Sequence, residues 1–180
     1  MLELRQLELP GCLELQPVVR PDARGLFVKT YSEELFEKHG LCCDFAEDYY
    51  SISNRNVLRG MHFQTPPTDH FKLVYCSRGE ALDVILDLRQ SSPTFGRYAE
   101  LRLSGDRANM VYLPPGIAHG FLSLADNTTM HYKVSTGYSP AHDSGILWNS
   151  FGKDWGVADP IISERDRSFP PLSQFDTCFK

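Results

Sequence analysis

Between residues 71 and 134 the chain is cut into short apolar segments by turn-forming residues, and that rhythm limits the folds open to it. Phe71–Cys76 and Glu80–Leu88 are rich in apolar residues and flank Ser77-Arg78-Gly79, which reads as a hairpin turn. Tyr98–Leu103 alternates in polarity, and Ser104-Gly105-Asp106-Arg107 follows as a turn. Met110–Leu113, Phe121–Leu124 and Thr128–Val134 continue the series. Short strands about 8–12 residues apart, with turn chemistry between them, build a sandwich or barrel rather than βαβ units. One short helix is signalled, with a capping box at Thr30-Tyr31-Ser32-Glu33, a helical run Glu34–Lys38 and Gly40 at the C-terminal cap position. The expectation is an all-β domain with a few short helices.

Composition removes several classes of function. A chain of 180 residues fits one domain, expected over residues 1–180, that buries roughly 70% of its unfolded surface. At 42% hydrophobic and 23% charged residues it is not a disordered chain. Lys and Arg number 18 against 23 Asp and Glu, and no basic cluster suggests a groove for nucleic acid. The apolar runs, as around Val84-Ile85-Leu86, fall far short of the ~20 residues a membrane span needs. The opening MLELRQLELP has neither a basic n-region nor an apolar h-region, so a soluble cytoplasmic protein is expected. The five cysteines, Cys12, Cys42, Cys43, Cys76 and Cys178, are odd in number and lack CxxC spacing, which favours reduced thiols over disulfides or zinc.

Four polar features interrupt the expected barrel wall: Arg59-Gly60-Met61-His62-Phe63-Gln64, Lys72, the run Pro114–Phe121 containing His119, and His131-Tyr132-Lys133. Each alone has an ordinary explanation. A strand histidine is usually a hydrogen-bonded structural residue, a strand lysine snorkels to solvent, and a tyrosine packs with its hydroxyl satisfied. Together they point elsewhere, because ionisable groups converging inside one barrel cost several kcal/mol unless a site uses them.

Asp22-Ala23-Arg24-Gly25-Leu26-Phe27, Asn56–Gln64, Lys72-Leu73-Val74, Asp83–Arg89 with Ser92–Gly96, Pro114–Phe121, Tyr132-Lys133, Tyr138, Ile146–Asn149 and Ser163-Glu164-Arg165-Asp166 occur in one order along nearly the whole chain. In these motifs the sequence resembles the nucleotide-sugar 3,5-epimerases typified by dTDP-4-dehydrorhamnose 3,5-epimerase, a branch of the cupin jelly rolls. The resemblance implies a double-stranded β-helix jelly roll, a nucleotide-diphospho-4-keto-6-deoxyhexose substrate, and no cofactor. By the same resemblance His62 is the base, Asp166 holds its imidazole, Lys72 stabilises the enolate oxygen, and Tyr132 is the acid on the opposite face. Arg24 and Arg59 match residues that clamp the diphosphate, His119 one that contacts substrate or phosphate, and Tyr138 one that stacks on the base. Members of the family are homodimers whose N-terminal strands pair across subunits, so Arg24 and Phe27 are expected at the partner's site. Asp83 is placed behind the site, with no partner assigned.

A metal cupin is the competing jelly-roll reading, since Pro114–His119 resembles the second metal motif. The first motif needs a His-x-His pair, and here it reads His62-Phe63-Gln64, leaving His70 as the sole nearby candidate for a third ligand. No metal is expected. Three further positions depart from the dTDP pattern: Lys29 and Glu47 in the segments matching the nucleotide pocket, and the shorter Asp143 in place of a glutamate. The segment Ser150–Trp155 departs as well. A lysine only donates hydrogen bonds, so Lys29 suits cytosine or guanine acceptors better than thymine N3–H. The alternatives are therefore the same chemistry on a CDP- or GDP-linked sugar, epimerisation at C3 or C5 alone, and a jelly roll that binds a nucleotide sugar without turnover.

Overall fold

The computed structural model describes residues 2–180. Thirteen strands run in chain order: β1 (Glu3–Gln6), β2 (Leu13–Gln16), β3 (Val19–Asp22), β4 (Gly25–Val28), β5 (Glu47–Ser53), β6 (Leu58–Gln64), β7 (Lys72–Arg78), β8 (Glu80–Asp87), β9 (Tyr98–Ser104), β10 (Met110–Leu113), β11 (Ile117–Ser123), β12 (Thr128–Val134) and β13 (Asp143–Gly145). The helices are α1 (Glu33–Lys38) and α2 (Glu164–Arg167), with a 3₁₀ turn at Leu172–Gln174. One sheet has the order β1-β2-β10-β7-β12-β5 and the other β13-β6-β11-β8-β9, with β3 and β4 forming a separate ribbon. All the ladders between strands are antiparallel, as a jelly roll requires.

Period-two alternation sorts the side chains into three layers. Val74, Cys76, Ile85, Leu101, Val111, Phe121 and Met130 fill the space between the two large sheets. Met61, Phe63, Val84, Leu86 and Leu122 face outward from the five-stranded sheet and are covered by the C-terminal residues Ile146, Trp155, Phe175 and Phe179. Leu15, Leu73, Met110 and Tyr112 face outward from the other sheet and are covered by Phe36 of α1 together with Tyr31 and Phe45.

The strands expected between residues 71 and 134 are present, with two corrections. Ser77-Arg78-Gly79 is not a hairpin turn. β7 and β8 lie in different sheets, so the chain crosses the barrel there. Gly79 makes this crossing possible, since its φ is +77° and a Cβ would lie 2.7 Å from Thr128 Oγ1. The other correction concerns α1: Ser32 is its N-cap but makes no side-chain capping bond, so the expected capping box does not form. Gly40 does close the helix in the left-handed region, at φ +68°.

Between β6 and β11 the backbones approach closely. A Cβ on Gly60 would stand 2.5 Å from Gly120 Cα, and the register shifts between His119 and Phe121. Only glycine at both positions permits this contact. It leaves His62 and His119 as direct cross-strand partners.

Candidate active site

The alternation that sends Met61 and Phe63 outward turns His62 inward, and the same argument turns Lys72, Asp83, His119 and Tyr132 toward the interior. His62, Lys72, His119 and Tyr132 line one small chamber of about 200 Å³, with Arg59 and Tyr49 completing its wall. A wider cavity of about 350 Å³ shares His62, Lys72 and Tyr49 with it, and adds Glu47, Tyr138, Asp143 and Arg165.

His62 Nε2 lies 2.9 Å from Asp166 Oδ1. Asp166 sits in the first turn of α2, where its N–H donates to the N-capping Ser163 hydroxyl and leaves the carboxylate free to reach His62. Burial pushes this carboxyl up. The hydrogen bonds from His62 and from the Gly60 N–H outweigh that and hold it below the usual carboxylate range. An ionised Asp166 is only an acceptor, so Nε2 carries the imidazole proton and Nδ1 presents a bare lone pair. Burial also lowers the pKa of His62, against the pull of Asp166, so the ring stays neutral below the ordinary imidazole range.

Lys72 is 8% exposed and donates from Nζ to the His62 carbonyl at 3.0 Å. Burial brings it down to about 8, with Asp143 and Asp83 pulling the other way. The Tyr132 hydroxyl is 3.3 Å from Ser51 Oγ, and its ring stacks on Tyr49 with centroids 5.0 Å apart. Burial drives its pKa upward, so the phenol holds its proton across the neutral range. His119 Nε2 is 2.7 Å from Asp83 Oδ2, which supplies the partner the sequence did not assign. Asp83 Oδ1 is buried without a partner, and burial raises the acid's pKa.

In the wider cavity Asp143 accepts from Arg165 Nη2 at 2.6 Å and from the Tyr138 hydroxyl at 3.2 Å. Glu47 accepts from the Tyr138 backbone N–H at 2.9 Å. Arg59 is held by Ser53 Oγ at 3.1 Å. Two of the expected substrate-binding residues are not brought to these cavities within one chain. Arg24 pairs with Asp22 on the exposed ribbon β3–β4. Lys29 lines a separate apolar slot with Leu2, Val18, Arg20 and Phe27.

Sequence reasoning missed Arg165, which projects into the wider cavity from the position beside Asp166. It treated His70 only as a possible metal ligand. The His70 ring lines that cavity, with burial lowering its pKa to about 3 and Nε2 unpartnered. Among the described residues no three His, Cys, Asp or Glu side chains are grouped to hold a metal ion.

The arrangement is that of an acid–base site: a neutral imidazole, a protonated phenol and a buried ammonium around one chamber, opening into a polar cavity. The family model described as dTDP-4-dehydrorhamnose 3,5-epimerase matches residues 6–174. The dTDP-4-dehydrorhamnose 3,5-epimerase of Methanothermobacter thermautotrophicus is 42% identical over 181 residues, covering 97% of each chain. The chain belongs to the dTDP-4-dehydrorhamnose 3,5-epimerase family. The crystal structure of the Bacillus anthracis family member with TDP and pyrophosphate bound is similar at TM-score 0.92 and 36% identity, covering 96% of this chain and all of that one (100%). ChmJ, a 3′-monoepimerase from Streptomyces bikiniensis in complex with dTDP-quinovose, is similar at TM-score 0.88 and 34% identity, covering 93% of this chain and 86% of that one. The fold is the cupin-like jelly roll of these epimerases. No helix among the described residues is long and apolar enough to cross a membrane.

Proposed function

We propose that this protein is a 3,5-epimerase of a dTDP-linked 4-keto-6-deoxyhexose. The observation that carries the reading is the single chamber in which His62, Lys72 and Tyr132 meet. Hydrogens at C3 and C5 of such a sugar both flank the C4 carbonyl, so loss of either gives an enolate. His62 Nδ1 takes the proton, and Asp166 stabilises the imidazolium that forms. Negative charge develops on O4, where the Lys72 ammonium offsets it, a contribution of about 3 kcal/mol for groups of this kind. Tyr132 returns a proton to the opposite face, inverting the centre. The imidazolium and phenolate then exchange protons with water, so the cycle closes with no net electron transfer and needs no cofactor.

The sugar occupies the inner chamber and the nucleotide diphosphate the wider cavity, where Arg165 supplies a cation and Tyr138, 63% exposed, offers a ring to the base, with Arg59 on the wall of the inner chamber as a second cation. His119 shapes the chamber beside the sugar. Residues 1–180 act as one cupin domain in a cytoplasmic homodimer. In that dimer the ribbon β3–β4, whose Leu26 and Phe27 are exposed, reaches a second copy and delivers Arg24 to its cavity. Glu47 lines the receiving cavity, while Lys29, just after β4, lines a slot of its own chain with Leu2 and Arg20, so the two charges that depart from the dTDP pattern stand apart within one chain.

Incubation with dTDP-4-keto-6-deoxyglucose in D₂O tests the reading. Deuterium at both C3 and C5 is expected. Entry at one centre alone would place the protein with the monoepimerases, and entry only from the CDP- or GDP-linked sugar would overturn the assignment of the base. Binding without any exchange would leave a nucleotide-sugar-binding jelly roll. Sedimentation of the free protein as a monomer would overturn the dimer.

A further inference from the structure

Phe169 has no part in the chemistry above, yet its ring meets the imidazole that carries it. The two ring centroids are 5.8 Å apart, with the planes inclined at 75°, an edge-to-face contact. The ring rests on Gly145, the residue opposite His62 in the β6–β13 ladder. A Cβ at Gly145 would stand 2.4 to 2.6 Å from three of the ring carbons, so Phe169 occupies the space that a cross-strand side chain would otherwise fill. The Arg165 guanidinium lies over the ring at 5.1 Å and is itself held by Asp143. The backbone is fixed on both sides, by the Ser168 N–H closing α2 onto the Glu164 carbonyl and by the Pro170 carbonyl accepting from Leu147 N–H.

We propose that Phe169 is a positioning residue for His62: its ring, seated on Gly145 and covered by Arg165, braces the imidazole against Asp166 and excludes water from that side. The inference rests on the reading of His62 as the base. An imidazole free to tilt loses the Nε2–H contact that leaves Nδ1 bare, and displacements of about 1 Å at a reacting group cost up to about 10²-fold in rate. The charged and titratable groups around His62 are Asp166 and Arg165 from α2, Lys72 from β7, His119 from β11, Tyr132 from β12, Tyr49 and Glu47 from β5, Asp143 from β13, Arg59 on its own strand, and His70 and Tyr138 from loops lining the wider cavity. Phe169 carries no charge, so replacing it changes hydration and orientation without removing one.

The test is the NMR titration of the His62 ring in the free full-length protein, combined with turnover, for wild type, Phe169→Ala, Phe169→Leu and Gly145→Ala. Phe169→Ala is expected to raise the His62 pKa toward its ordinary value and to lower kcat about tenfold with KM unchanged. Phe169→Leu, which restores apolar cover, returns both most of the way. Gly145→Ala, which pushes the ring off its seat, repeats the effect of Phe169→Ala and carries the test if that variant does not fold. An unmoved His62 titration in Phe169→Ala or Gly145→Ala overturns the proposal, even if activity falls. If wild type exchanges no proton with any nucleotide sugar, the epimerase reading fails, while the titration still decides whether Phe169 sets the environment of His62.

Discussion

His62–Asp166 and His119–Asp83 are two copies of the same pair of side chains, and their histidines are direct partners across the β6–β11 ladder. Both histidines line the inner chamber, but His62 also opens onto the wider cavity, so His62–Asp166 is the open pair and His119–Asp83 the buried one: the His62 side chain is 30% exposed and that of His119 5%. Asp166 gains a backbone N–H as well as the imidazole and is held ionised. Asp83 has one oxygen with no partner, and burial raises its pKa, with His119 and Lys72 pulling the other way. The comparison teaches that a histidine–carboxylate contact does not by itself make a base. In the proposed mechanism, exposure to the wider cavity and full solvation of the carboxylate by donors separate the base-bearing pair from the other. In that mechanism the buried pair acts through Lys72, whose ammonium Asp83 helps to keep protonated.

The comparison breaks most visibly at the acid that serves the open pair. Tyr132→Phe should lower formation of the inverted product by about 10²–10⁴-fold. Deuterium from D₂O should still enter the uninverted sugar, because His62 continues to take and return a proton on its own face. NMR of recovered substrate reads both quantities. Loss of exchange together with inversion would mean that Tyr132 acts before the enolate forms.

The two carboxylates sharpen it further. Asp166→Asn should reduce kcat about 10²-fold, since a neutral amide neither fixes the tautomer nor stabilises the imidazolium. Asp83→Asn should reduce it by no more than about tenfold at pH 7, through a less readily protonated Lys72. Equal losses measured by steady-state kinetics would erase the distinction between the pairs.

The smallest effect is in the pH profile. The proposed mechanism needs His62 neutral and Lys72 charged. The acid limb of kcat/KM therefore falls below the ordinary imidazole range, because burial lowers His62, and activity rises with pH through that limb. The alkaline limb falls near pH 8 as Lys72 loses its proton at about 8. Asp83→Asn removes a charge that favours the ammonium and moves the alkaline limb to lower pH, while the acid limb stays in place.

Much of this site was legible in the sequence because period-two alternation is a local property. Once Lys72 stands in β7 and Tyr132 in β12, parity with their apolar neighbours turns both inward, and the family resemblance suggests the roles proposed for them. Ser77-Arg78-Gly79 was not legible, since a glycine turn between apolar strands looks the same whether the chain pairs back or crosses to another sheet. Arg165 and Phe169 were missed for a related reason. Arg165 lies in a one-turn helix near the C-terminus and Phe169 just after it, and only the closed barrel brings that segment to β6 and β13. Asp166 was found through its motif alone, because Ser-Glu-Arg-Asp reads locally as a helix cap, and Ser163 does fill that role.

The most direct measurement is solvent deuterium entry into dTDP-4-keto-6-deoxyglucose, followed by mass spectrometry for wild type, His62→Ala and His119→Ala at pH 7. The open pair predicts that His62→Ala abolishes entry at C3 and C5, whereas His119→Ala slows it and leaves both positions labelled. Full labelling by His62→Ala, with none by His119→Ala, would contradict the account and move the base to the buried pair.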